Sequence, residues 1–284
     1  MEEFNLTIPG FTIAIKTWGK RTLPPLLAIH GWLDNANSFL PLAPYLEHDF
    51  YVIAIDLPGH GLSSPLSEGS YYHFIDGLFT LMNIIDALHI KKIHLLGHSL
   101  GACLASLLAG IAPLHIASVA LIEGLGPFSR SEETCREQLS NYINKISEKG
   151  PRKLKYYSSL DLAAEARAAQ GFLSFEFVKL LCERGVSEVN GQFYWHHDRR
   201  LVYPSPLRLT ETQILSCLQG ITAPISLILA KQGSLFNEND IKHRIAAVKN
   251  LQIFSVDGGH HLHMEKPDEV AKHLANFYQG VFNG

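Results

Sequence analysis

Residues 93–101 read Ile93-His94-Leu95-Leu96-Gly97-His98-Ser99-Leu100-Gly101, and the chain continues Ala102-Cys103-Leu104-Ala105-Ser106-Leu107-Leu108-Ala109. The first four residues have the texture of a buried strand and the last eight that of an apolar helix, so the serine of a G-x-S-x-G pentapeptide falls on the turn between them. Such a turn lifts a hydroxyl clear of the backbone at the end of a sheet. Gly97 and Gly101 let strand and helix approach closely, and the amide of Leu100 at the helix start is placed to meet a developing oxyanion. A serine hydroxyl is a weak nucleophile at neutral pH and needs a base and oxyanion donors beside it. Without those partners the same pentapeptide is a glycine-rich turn carrying an incidental serine.

Working outward, short apolar runs alternate with helical patterns, the signature of βαβ units and a mostly parallel sheet. Phe4 to Ile8 and Phe11 to Trp18 flank Pro9-Gly10 and read as a hairpin. Leu26–Ile29, Tyr51–Ile55, Ile93–Leu96 and Val119–Ile122 are nearly continuous apolar runs, as expected for strands covered on both faces. Phe74 to Leu88 and Leu100 to Ala112 have helical spacing. The expected class is α/β, a mostly parallel twisted sheet flanked by helices.

After Gly124-Leu125-Gly126-Pro127 the texture changes to charged, helix-favouring stretches, with no strand-like run before Pro224. Residues 127–223 are therefore expected to form an inserted helical cap, between core parts 1–126 and 224–284. A capping box of Ser129 and Glu132 would open its first helix. Asp161–Gln170, Phe175–Arg184 and Thr210–Leu218 read as further helices. The sheet pattern resumes at Ile225–Leu229 and Leu251–Phe254, and a last helix opens at Pro267 with Asp268 and Glu269 in its first turn. Phe172, Phe175, Phe177, Phe193, Tyr194 and Trp195 can give the cap an apolar inner wall. His196-His197-Asp198-Arg199-Arg200 could bind a substrate carboxylate, although pairing within the cap is the plainer role.

Two further loops sit where partners of Ser99 belong. His30-Gly31-Trp32 follows the strand 26–29, and the Trp32 amide is the candidate second oxyanion donor. In the chain order nucleophile, acid, histidine, the base falls late. Gly258-Gly259-His260-His261-Leu262-His263-Met264 lies between the last strand and the last helix, and His260 is the expected base, with His261 and His263 in packing roles. Asp56-Leu57-Pro58-Gly59-His60-Gly61 reads as a structural loop in which Asp56 and His60 bind backbone.

The stretches His30-Gly31-Trp32-Leu33-Asp34-Asn35-Ala36-x-Ser38-Phe39, Asp56-Leu57-Pro58-Gly59-His60-Gly61, Gly97-His98-Ser99-Leu100-Gly101 and Gly259-His260-His261-x-His263-Met264 together resemble the α/β-hydrolase superfamily, and within it the serine hydrolase-like, or kraken-type, group. The resemblance spans nearly all of the chain outside the cap. It implies the α/β-hydrolase fold and a cofactor-free hydrolase, and it does not name a substrate.

The acid departs from the pattern. In many relatives it follows the strand after the cap, a position occupied here by Gly233, and Ala230-Lys231-Gln232-Gly233-Ser234-Leu235 contains no carboxylate. Glu238 and Asp240 come later, where a helix start favours acids for dipole reasons alone. Some haloalkane dehalogenases of similar fold carry the acid at the end of the preceding strand, and this chain has Glu123 there. Glu123 is the expected triad acid, with a role in holding the cap hinge as the alternative. Asp257 is expected to point away from the site.

Composition narrows the function classes. A formal net charge of -3, with 18% charged and 46% hydrophobic residues, argues against a nucleic-acid partner. The N-terminus lacks a signal-like apolar run and nothing reaches bilayer-spanning length, so a cytoplasmic protein is expected. Four dispersed cysteines read as free thiols, and the fifteen histidines lack metal-ligand spacing, so neither metal nor cofactor is expected. A serine in place of an aspartate points to acyl-enzyme chemistry. The expected function is hydrolysis of carboxylic esters with small or medium apolar acyl groups. Thioester or carbon–carbon bond hydrolysis, and a silent ligand-binding member of the fold, are the alternatives.

Overall fold

The structure is a computed structural model that describes residues 1–148, 154–170, 173–232 and 238–283. Gly233 and Phe172, both singled out in the sequence, lie outside them. The strands are β1 (Glu2–Ile8), β2 (Phe11–Trp18), β3 (Pro25–Ile29), β4 (Tyr51–Ile55), β5 (Ile93–His98), β6 (Ile116–Ile122), β7 (Val186–Val189), β8 (Gln192–Trp195), β9 (Ile225–Ala230) and β10 (Leu251–Val256). The helices are α1 (Phe74–Ala87), α2 (Leu100–Ile111), α3 (Cys135–Ser147), α4 (Leu160–Ala168), α5 (Phe175–Gly185), α6 (Glu211–Leu218), α7 (Glu238–Ala247), α8 (Leu262–Glu265) and α9 (Pro267–Asn283).

An eight-stranded sheet runs in the order β1-β2-β4-β3-β5-β6-β9-β10. β1 and β2 pair antiparallel, β2 lies antiparallel to β4, and every pairing from β4 to β10 is parallel. The alternation within each strand feeds two cores. In β4, Ile53 and Ile55 face the layer built with Leu78, Leu81 and Ile84 of α1 and Leu104 and Leu108 of α2. Val52 and Ala54 face the opposite layer, with Phe39, Phe50 and the α9 residues Val270, Leu274 and Phe277. Both faces being covered, the strands carry apolar side chains at successive positions. This is the α/β-hydrolase fold.

The described residues between β6 and β9 lie over the C-terminal ends of the parallel strands and hold a small core, in which Ala164, Val178 and Leu181 pack with Met264. They are not wholly helical. β7 and β8 form an antiparallel hairpin, and its turn is Asn190-Gly191 with φ of 52° and 72°. Asn-Gly at paired positive φ is the favoured two-residue hairpin connection, and it was the signal available in the sequence. The Ser129–Glu132 capping box is not formed either. Ser131 precedes a short 3-10 turn, Glu132–Thr134, with no side-chain cap, and α3 begins only at Cys135. A reciprocal capping box stands instead at Thr210 and Gln213, at the start of α6.

This segment is tied down at several points. Asn35 Nδ2 and Asn37 Nδ2 donate to the α5 carbonyls of Leu181 and Leu180 at 2.9 and 2.8 Å. Arg184, 4% exposed, donates to Asp56 Oδ2 at 2.7 Å and to Glu3 Oε2 at 2.9 Å. Trp32 Nε1 donates to Leu201 O at 3.0 Å. At the exit from β6, Arg244 Nη1 donates to Leu125 O and Gly126 O at 2.9 and 3.1 Å. No helix among the described residues is long and apolar enough to cross a membrane.

Candidate active site

Ser99 sits between β5 and α2 with φ of 51°, in the left-handed region that L-residues avoid. The turn is fixed from both sides. Ser99 N donates to Ile122 O at 2.9 Å, and Ser99 O accepts the amide of Cys103 at 2.9 Å. Gly101 is required by crowding, because a Cβ there would lie 2.0 Å from Ile29 O. Backbone strain of this kind persists only where the surroundings over-determine it, and it recurs at functional sites.

Glu123 follows β6 and is also left-handed, with φ of 56°. Its amide donates to Ile228 O at 3.0 Å, and its Oε1 accepts the amide of Ala230 at 2.6 Å. The carboxylate is thus held across the end of β9, 1% exposed, with Oε2 lying 3.2 Å from His260 Nδ1. A proton on Nδ1 donated to that oxygen leaves Nε2 with its lone pair free. His260 is 9% exposed and lines, with Ser99 and Trp32, a cavity of about 420 Å³. Among the described residues neither the Trp32 amide nor the Leu100 amide is bonded to a backbone carbonyl. Asp257 pairs with Lys231 at the surface, away from His260.

Three neighbours of these residues carry a second polar cluster. Asp34, 3% exposed, has Oδ1 2.5 Å from Arg167 Nη2 of α4, and Oδ2 3.3 Å from His261 Nε2 and 3.7 Å from His98 Nδ1. Burial opposes the charge on Asp34, but His261 and Arg167 outweigh it and hold the carboxyl well below its usual range. His98 Nε2–H donates to the carbonyl of His260 at 2.9 Å. Burial, reinforced by His263, His261 and His260 around it, pushes the His98 pKa well down, so this ring stays neutral. His263 is likewise held neutral by burial and meets Ser38 Oγ at 2.7 Å. Asp34, His98 and His261 converge closely enough to ligate a cation. Two features disfavour one. Arg167 already balances the carboxylate, and a Cβ on Gly31 would lie 2.9 Å from both Asp34 Oδ2 and His98 Nδ1, so backbone crowds the space between them.

The remaining polar motifs do structural work. Asp56 accepts the amides of Ala36 and Leu62, each at 2.7 Å, besides Arg184. Asp198 accepts Tyr72 Oη–H at 2.8 Å and pairs with Arg200, whose guanidinium also donates to Ser67 O at 2.6 Å. His197 is the member of that cluster that lines the cavity, where burial, and after it Arg167, lowers its pKa to about 4. Of the aromatic residues expected as cavity wall, Trp195 lines it, joined by Tyr157 and Phe128.

Comparison with known proteins fits this geometry. Residues 24–267 match the family described as alpha/beta hydrolase fold. A serine hydrolase-like protein from Danio rerio is 29% identical over 98% of this chain and 88% of its own length. The structure of a hypothetical protein from Pseudomonas aeruginosa PAO1 superposes with a TM-score of 0.92 at 35% identity, covering 98% of this chain and 99% of that one. A thioesterase domain from the curacin biosynthetic pathway gives a TM-score of 0.85 at 27% identity, covering 97% of this chain and 99% of its own. The chain belongs to the α/β-hydrolase family, and it is a hydrolase.

Proposed function

We propose that this protein is a serine hydrolase that cleaves carboxylic esters through an acyl-enzyme, with Ser99 as nucleophile, His260 as base and Glu123 as acid. The observation that carries the reading is the contact between Glu123 Oε2 and His260 Nδ1 at 3.2 Å, at the wall of the cavity that also holds Ser99. His260 Nε2 takes the Ser99 proton as Oγ attacks the acyl carbon. The carbonyl oxygen becomes an oxyanion held by the amides of Trp32 and Leu100. His260 returns the proton to the leaving alkoxide, and Glu123 stabilises the imidazolium throughout. Water, deprotonated by His260, then attacks the ester on Ser99, and collapse of the second tetrahedral intermediate frees the acid and restores the serine.

The cavity volume and its walls of Trp195, Leu173 and Phe128 suit a small or medium apolar acyl group. Thioesters are the second reading, favoured by the likeness to the curacin thioesterase domain. A fluorophosphonate probe is expected to label Ser99 in the wild type and to leave Ser99→Ala unlabelled. Absence of labelling on the wild type overturns the reading. Rates on matched oxygen and thiol esters of one acyl chain then decide between the two substrate classes.

A further inference from the structure

We propose that Asp34 is a positioning residue for the reaction, and that Arg167, brought by α4 from outside the sheet, is the counter-charge that makes a buried carboxylate tolerable there. The inference rests on the hydrolase reading of Ser99 and His260.

Two of the three turns that carry reacting groups bond to this carboxylate. The oxyanion turn is its own segment: Leu33 is left-handed with φ of 61°, and the amide of Asp34 closes the turn on Gly31 O at 3.1 Å. Arg167 Nη1 grips Leu33 O at 2.7 Å while Nη2 takes Asp34 Oδ1. The carbonyls on either side of Trp32 are therefore both held, and with them the direction of the Trp32 amide. The base loop is reached through His261, whose Nε2 lies 3.3 Å from Asp34 Oδ2. The nucleophile turn is tied to the base loop through His98, whose Nε2–H donates to the His260 carbonyl at 2.9 Å, while its Nδ1 lies 3.7 Å from Asp34 Oδ2 without a hydrogen bond. The oxyanion turn and the base loop are thus referred directly to one charged point that touches none of the reacting atoms, and the nucleophile turn follows through the His98 bond to the base loop.

The charge matters as well as the shape. An unmatched carboxylate at 3% exposure is strongly disfavoured. The guanidinium that matches it lies 4.8 Å over the Trp195 ring and forms part of the cavity wall. The segment over the sheet therefore supplies part of the catalytic framework as well as part of the pocket.

The test is a double-mutant cycle with p-nitrophenyl butyrate as substrate, using Asp34→Asn, Arg167→Met and the double variant, each checked for an intact melting transition. Asp34→Asn keeps the shape and removes the charge. Each single change is expected to lower kcat about 10- to 100-fold with KM within about threefold, as a small misplacement of reacting groups does. The double variant is expected to be no slower than the worse single, because both changes act through one pair. Arg167→Lys keeps the charge but loses the fork, and it should recover only part of the rate. Wild-type kcat in Asp34→Asn, or losses that multiply in the double variant, would overturn the proposal. If Arg167→Met fails to fold, the comparison of Asp34→Asn with Arg167→Lys decides on the same criteria. Failure of Ser99→Ala to abolish turnover would instead overturn the hydrolase reading itself, so the two failures are told apart.

Discussion

Glu123 and Ala230 meet across the ends of neighbouring parallel strands, the carboxylate Oε1 accepting the Ala230 amide at 2.6 Å. That bond turns the other oxygen toward the last loop of the sheet, where His260 Nδ1 lies 3.2 Å away. It is the physical basis for the proposed role of Glu123 as the acid, offered from the end of β6 and not from the strand after it. The β9 backbone supplies the grip, and β6 supplies the charge.

Glu123→Gln tests this assignment. The variant keeps the shape and an acceptor for Ala230 N–H but no longer offers a carboxylate to the imidazolium. Turnover of p-nitrophenyl butyrate is expected to fall about a hundredfold to ten-thousandfold in kcat, the range found when a triad acid is neutralised. Steady-state kinetics at pH 7.5 check it, and an unchanged kcat removes Glu123 from the triad.

The pair Arg184 and Asp56 bears on stability and not on chemistry. Both are buried, at 4% and 0% exposure, and Asp56 also holds two backbone amides. Arg184→Leu strands that carboxylate and is expected to cost about 3–5 kcal/mol. Urea unfolding at pH 7 reads the loss directly, and a cost under about 1 kcal/mol would show that Asp56 does not depend on Arg184.

Several buried histidines make folding sensitive to mild acid. Burial lowers the pKa of His94 to about 4 and that of His60 to about 3, against an ordinary value of 6.5. The unfolded chain binds these protons first, so stability is full above about pH 6.5 and declines as pH falls from there toward 4. Thermal unfolding followed across that window is expected to show a steadily falling midpoint. His94→Gln removes one titrating group and should flatten the slope by about one proton. A midpoint unchanged between pH 6.5 and 5 would contradict the account.

Much of this was legible in the chain because it is written locally. The strand, turn and helix around Ser99 follow from seventeen consecutive residues, and Glu123 and the Gly258–Met264 loop announce themselves by their place after a strand. The β7–β8 hairpin was legible too, since Asn190-Gly191 carries its signal, but neighbouring charged stretches favoured helix. The cluster around Asp34 was not. Arg167 lies 133 residues from Asp34 and His261 lies 227 away, so only tertiary folding brings them together. Periodicity reports which face of an element is buried, and it carries no record of which buried charges will meet.

The bonds that fasten α5 and the Leu201 region to the sheet side have a further implication for how substrate enters. Swinging that segment outward would break the donations of Asn35 and Asn37 and strip Arg184 from Asp56 in one movement, leaving that buried carboxylate without the guanidinium that faces it. The molecule is built less like a jaw than like a socket. With those bonds in place, a molecule that reaches Ser99 has to fit the walls of the cavity as they stand.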